Sequence, residues 1–95
     1  MPEMLFSVRW PDNTVDECYS PSLVIKDYMN VGESYPVQDF VQRSRTALNI
    51  ASERVRAKYG YACSSAMDQL ARIESKAEGF PADGNANVRV ERFSP

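Results

Sequence analysis

The stretch PVQDFVQRSRTALNIASERVRAKYG, Pro36–Gly60, is the longest periodic run in the chain and decides its fold class. With Val37 at zero and roughly 100° per residue, Val37, Phe40, Val41, Ser44, Leu48, Ala51, Val55 and Tyr59 fall within about 60° of one line, the buried stripe of a helix of about six turns. Pro36 opens the run, and Gly60 supplies the left-handed residue that follows a helix end. Arg54, Arg56 and Lys58 occupy the last turns, where cations oppose the negative end of the dipole. A second helix is expected from Ser64 or Ser65, with Asp68 reaching back to Ser65 as a capping box. Ala66, Leu70, Ile73 and Ala77, flanked by Met67, form its apolar face, and the short gap between the helices makes them antiparallel neighbours.

Toward the N-terminus the period changes to two. Met4, Phe6, Val8 and Trp10 alternate with Leu5, Ser7 and Arg9 as a strand. Pro11-Asp12-Asn13 suits a three-residue hairpin loop, with proline in a type I turn and Asn13 in the left-handed position. Trp10 then pairs with Thr14, Val8 with Asp16 and Phe6 with Cys18, so Cys18 reads as a small core residue. The other face carries Leu5, Val15 and Tyr19 beside Arg9 and Glu17, apolar enough to call for a covering helix or a second subunit. Ser20-Pro21-Ser22 reads as the cap of a short helix over residues 23–28, and residues 30–35 as a connecting loop. After Gly79-Phe80-Pro81 and a loop containing Asp83-Gly84-Asn85, Val88 and Val90 alternate with Arg89 and Glu91 as a third strand over residues 87–93. The expectation is a single α+β domain over residues 1–95. It has two layers, a three-stranded antiparallel sheet on an antiparallel helix pair, in the order β-β-(short α)-α-α-β.

Composition narrows the chemistry. The 95 residues are 43% hydrophobic and contain no histidine, which excludes imidazole bases, Cys-His dyads and the commonest zinc ligand. Two cysteines with no histidine make no metal site, and neither a metal nor a cofactor is expected. No apolar run reaches the roughly 20 residues that span a bilayer and no secretory leader is evident, so the expectation is a cytoplasmic protein without membrane contact. Net charge is −2. Residues 1–40 hold seven acids (Glu3, Asp12, Asp16, Glu17, Asp27, Glu33, Asp39) against Arg9 and Lys26, whereas residues 41–95 hold nine bases against six acids. An acidic whole of this kind argues against nonspecific nucleic-acid binding, and the near-neutral second helix argues against a helix-turn-helix reader.

Four words of the sequence carry a resemblance: the opening Met-Pro-Glu-Met, Val8-Arg9-Trp10-Pro11-Asp12, Cys18-Tyr19-Ser20-Pro21-Ser22-Leu23-Val24, and Ala51 through Gly60. Together they resemble a family of short bacterial proteins described as nitrogen starvation response proteins, over nearly the whole chain. Asn13 stands where that family leads one to expect glycine, a departure the hairpin tolerates. The resemblance implies a nitrogen-starvation pathway linked to nitrile metabolism, in gene clusters with a nitrilase, a radical SAM protein, an acetyltransferase and a flavoprotein. It implies no catalytic residues.

The residues themselves offer three candidate sites. Cys63, in Tyr-Gly-Tyr-Ala-Cys-Ser-Ser, falls where the second helix begins, and the dipole with Lys58 or Arg56 could lower its thiol pKa; its plain reading is a buried corner cysteine. Arg45, Asn49, Ser52 and Arg56 follow spacings of four, three and four on one polar ridge, suited to a carboxylate, a phosphate or an acidic partner helix. Leu5, Val15 and Tyr19 on the outer sheet face, with Ile50 on the outer helix face, make a candidate interface between copies, and a homodimer is expected. The reading that follows is a noncatalytic accessory or partner-binding protein. The alternative is a small thiol-dependent enzyme or an anion-binding protein using Cys63 with Arg45 and Arg56.

Overall fold

The N-terminal hairpin sets the frame. In the computed structural model, which describes residues 3–61, 64–81 and 86–94, strand β1 (Met4–Arg9) returns as β2 (Val15–Ser20). The register is Val8 with Asp16 and Phe6 with Cys18. The loop closes with Trp10 N–H donating to the Thr14 carbonyl at 2.9 Å, and Asn13 takes φ 70°, as the turn chemistry requires. Asp12 Oδ1 accepts from the Thr14 hydroxyl at 2.6 Å and braces the turn.

A 3-10 helix, Leu23–Asp27, follows, its first turn capped by Ser22 Oγ accepting from Val24 N–H. The chain then enters a strand where a loop was expected. β3 (Ser34–Pro36) pairs with β4 (Asn87–Ser94), and the pairing extends upstream through Gly32 N–H to the Val90 carbonyl at 2.8 Å. The three-stranded expectation is corrected on this point: the sheet has four antiparallel strands in the order β2-β1-β4-β3, and the chain order is β-β-(3-10)-β-α-α-β. Tyr35 anchors the extra strand. Its side chain is buried, its hydroxyl accepts from Asn30 N–H at 2.9 Å and donates to Glu33 at 3.0 Å, and the Arg43 guanidinium lies 4.4 Å above its ring.

Helix α1 (Val37–Tyr59) runs from Pro36 to Gly60, and α2 (Ser64–Ala77) returns beside it. Both pack on one face of the sheet, α2 over β2. Between the layers lie Met4, Phe6, Val8 and Trp10 of the hairpin, Phe40 and Leu48 of α1, Ile73 of α2, and Val88 and Val90 of β4, all at most 2% exposed. Trp10 is the hub: Phe40 meets it edge-on at 5.5 Å, Phe80 stacks on it at 5.7 Å, and its indole N–H donates to Asp16 Oδ2 at 2.9 Å.

Cys18 takes the core place that its register assigns. Burial, with Asp16 nearby, pushes its thiol up to about 12 from an ordinary 9.0. The folded state holds the proton to higher pH than the unfolded state does, so this stabilisation is complete below about pH 9 and is lost as pH rises toward 12. Urea unfolding followed from pH 8 to pH 11 is expected to show falling stability that Cys18→Ala reduces. Thiol reagents are expected to modify Cys18 only on unfolding.

The sheet face away from the helices is not bare. Arg9 and Arg89 share Glu91 at 3.3 and 3.4 Å, Arg92 reaches Glu17 at 3.4 Å, and the Tyr19 hydroxyl donates to Glu3 at 3.1 Å. Such exposed pairs contribute about 0–1 kcal/mol each, so their structural effect is to cover apolar neighbours rather than to hold the sheet.

Candidate functional site

The stripe read on α1 holds through Ala51 and then runs out of protein to pack on. The buried positions of α1 end at Ser52; beyond it Val55 is half-buried and the rest of the helix is exposed. A 23-residue helix is about 34 Å long, and the described chain measures 40 Å along its longest axis. Among the described residues, the end of α1 beyond Ser52 is therefore largely open to solvent.

Its local sequence explains why it stays helical without that support. Glu, Arg, Ala and Lys are strong helix formers, and the cations sit at the favourable end of the dipole. Glu53 and Arg56 pair at 3.2 Å one turn apart. Arg54 donates to Ser22 Oγ at 2.9 Å and ties the first exposed turn to the 3-10 helix. Gly60 closes the helix at φ 84°, its N–H donating to the Arg56 carbonyl at 2.8 Å. A Cβ at Gly60 would meet nothing within 4 Å, so Gly60→Ala costs only the left-handed backbone penalty. That cost is about 1 kcal/mol, and calorimetry is expected to show a Tm lower by roughly 4–8 °C.

At the tip, Tyr59 and Tyr61 are 50% and 67% exposed, with ring centroids 6.2 Å apart, and Lys58 Nζ lies 5.5 Å from the Tyr59 ring. Residues 53–61 carry Arg54, Arg56 and Lys58 against Glu53, a local excess of two positive charges on a chain whose net charge is −2. Behind the tip, Ile50 and Ala57 floor a shallow groove on the outer face of α1, bounded by Asn49, Glu53 and Arg54. The exposed half of α1 thus carries both an apolar groove and a basic, aromatic end.

The residues of the sequence-read ridge lie partly elsewhere. Arg45 bonds Glu74 of α2 at 2.8 Å and Gln42 at 2.9 Å, Asn49 Nδ2 donates to the Arg45 carbonyl, and Ser52 is buried at 7% exposure, so the four do not form one open ridge. Arg56, with its side chain 62% exposed, belongs to the helix end. Ile50 is half-buried against the core, Leu5 and Tyr19 are half-buried, and Val15 is 48% exposed. Cys63 lies outside the described residues. Arg54 and Tyr61 were not singled out by spacing; three cations and two tyrosines gathered around the Gly60 stop are the signal that marks them. Among the described residues no three His, Cys, Asp or Glu side chains gather as a metal would need, and no helix is long and apolar enough to cross a membrane.

The fold and this surface define a small α+β protein with an exposed basic helix end. Residues 5–93 match the family model described as nitrogen starvation-induced protein NitG, and the chain belongs to that family. No curated protein and no solved structure matches it.

Proposed function

We propose that this member of the nitrogen starvation-induced family is a noncatalytic accessory protein, acting in the cytoplasm by docking an acidic segment of a protein partner on the exposed end of α1. The observation that carries the reading is the exposure of that helix end: Arg56, Lys58, Tyr59 and Tyr61 all lie beyond the last buried position of α1 and are exposed, and Ile50 and Ala57 floor a shallow groove on the same helix. Arginine and tyrosine are the side chains that dominate protein–protein contacts, because each combines large apolar area with directional polar groups. Local positive charge on an acidic protein favours an acidic partner by complementarity and speeds its encounter. The helix end supports this reading better than the outer sheet face, where Leu5 and Tyr19 are half-covered by the ion-pair lattice.

The test is affinity capture from nitrogen-starved cells, comparing the wild type with Arg56→Glu/Lys58→Glu/Tyr59→Ala. Arg54 is left intact because it braces Ser22. A specific acidic partner is expected with the wild type and lost with the variant, and the purified partner is expected to bind less tightly as salt rises. Capture of the same partner by both proteins, or salt-dependent retention on DNA instead, contradicts the reading.

A further inference from the structure

A second feature lies along the middle of α2, where the helix stands over the free edge of β2. A pocket of about 220 Å³ opens there, lined by Trp10, Asp16, Glu17, Gln69, Arg72 and Ile73 with Cys18 at its base. This is smaller than the about 300–1,000 Å³ of sites that take drug-sized ligands and suits something the size of a single amino acid.

The hairpin register determines which groups face it. Because Trp10 and Thr14 form a hydrogen-bonded pair, alternation turns the main-chain groups of Asp16 and Cys18 toward β1 and those of Val15, Glu17 and Tyr19 outward. Tyr19 N–H confirms the direction by donating to Gln69 Oε1 at 3.0 Å. Glu17 is thus the edge residue whose amide and carbonyl look out beside the pocket, while its side chain goes to the opposite face to meet Arg92. On the pocket side stands the Asp16 carboxylate, which accepts from the Trp10 indole at 2.9 Å and has lone pairs for further donors. Arg72 also lines the pocket, and its guanidinium reaches Gln69 Oε1 only at 3.5 Å. Both charges act on the Cys18 thiol, Asp16 raising its pKa and Arg72 lowering it.

We propose that this pocket binds one free α-amino acid, its carboxylate held by Arg72 and the Glu17 N–H and its ammonium held by Asp16 and the Glu17 carbonyl. The ligand's main-chain groups take the place of a next strand for the length of one residue. Gln69 already occupies the adjacent edge position at Tyr19, so a longer strand cannot continue in that direction. Opposite charges lining one pocket select a zwitterion, since a ligand with one charge leaves one of them without its charge-assisted hydrogen bond. Ile73 and the Trp10 ring offer an apolar wall to the ligand side chain.

Trp10 is the only tryptophan in the chain and lines this pocket, so its fluorescence and its indole N–H resonance respond to a ligand bound there. The experiment titrates the full-length protein with each common L-amino acid to roughly 10 mM, the weak end of small-ligand affinity, with calorimetry as the second measurement. At least one is expected to give a saturable change at Trp10. Arg72→Met and Asp16→Asn are each expected to weaken it about tenfold or more, as are analogues lacking the amine or the carboxylate. The triple variant at the end of α1 is expected to bind the amino acid unchanged, which separates this proposal from partner docking. The proposal is overturned if no amino acid gives a saturable change, if Arg72→Met leaves the affinity intact, if single-charge analogues bind as well, or if a short peptide binds more tightly than any free residue.

Discussion

Trp10→Ala is expected to lower the stability of the fold by about 3–5 kcal/mol, the range for truncating a buried aromatic in a core that cannot collapse around the loss. Trp10 is 1% exposed and touches every layer: Phe40 of α1 edge-on, Phe80 after α2 by stacking, and Asp16 of β2 through its indole N–H. Its removal opens a cavity and deprives Asp16 of its donor at the same time. Domains of this size are held by about 5–15 kcal/mol, so the variant retains a small margin. Tm is expected to fall by roughly 15–30 °C in thermal denaturation followed by circular dichroism. Trp10→Phe keeps ring contacts without the hydrogen bond and is expected to lose less than half as much. Equal losses for the two would mean that the indole N–H, rather than packing, governs the site.

The second large effect tests the two faces of the sheet. Val90 is fully buried in β4, which lies between β1 and β3, whereas Val15 on the edge strand is 48% exposed. Val90→Asp places a carboxyl in the core with no cation to meet it, at a cost of about 3–5 kcal/mol or more. The buried carboxyl holds its proton to higher pH than in the unfolded chain, so the deficit is expected to be smallest near pH 3, where both states are largely protonated, and to grow toward pH 7. Val15→Asp is expected to change stability by no more than about 0.5 kcal/mol. Comparable urea midpoints for the two variants at pH 7 would contradict the layer assignment.

What could be read along the chain depended on how local the determinant was. The hairpin register was legible because Pro11-Asp12-Asn13 sets the turn within a few residues, and every pairing from Val8 with Asp16 to Phe6 with Cys18 follows from it. β3 was not legible: Ser34-Tyr35-Pro36 has no alternation to detect and is a strand only because β4, some fifty residues later, supplies its partner. The position of β4 between β1 and β3 is equally nonlocal. Periodicity placed the stripe of α1 correctly through Ala51 but ran on to Tyr59, since a helical wheel does not record where the opposing layer stops. The basic spacing of Arg45 and Arg56 was visible, yet the pairing of Arg45 with Glu74 depends on α2, and Ser52 is buried despite its polar side chain. The pocket beside Arg72 draws its walls from two segments about fifty residues apart, each unremarkable alone.

Hydrogen exchange of the protein, alone and with the partner that the proposed docking predicts will be captured from nitrogen-starved cells, tests the central claim most directly. Amides of the last turns of α1, from Glu53 to Tyr61, are expected to exchange fast in the free protein because these turns are largely exposed. Binding is predicted to slow their exchange while leaving β1 and β2 unchanged. Protection confined to the sheet, with the end of α1 exchanging as fast as before, would contradict the account.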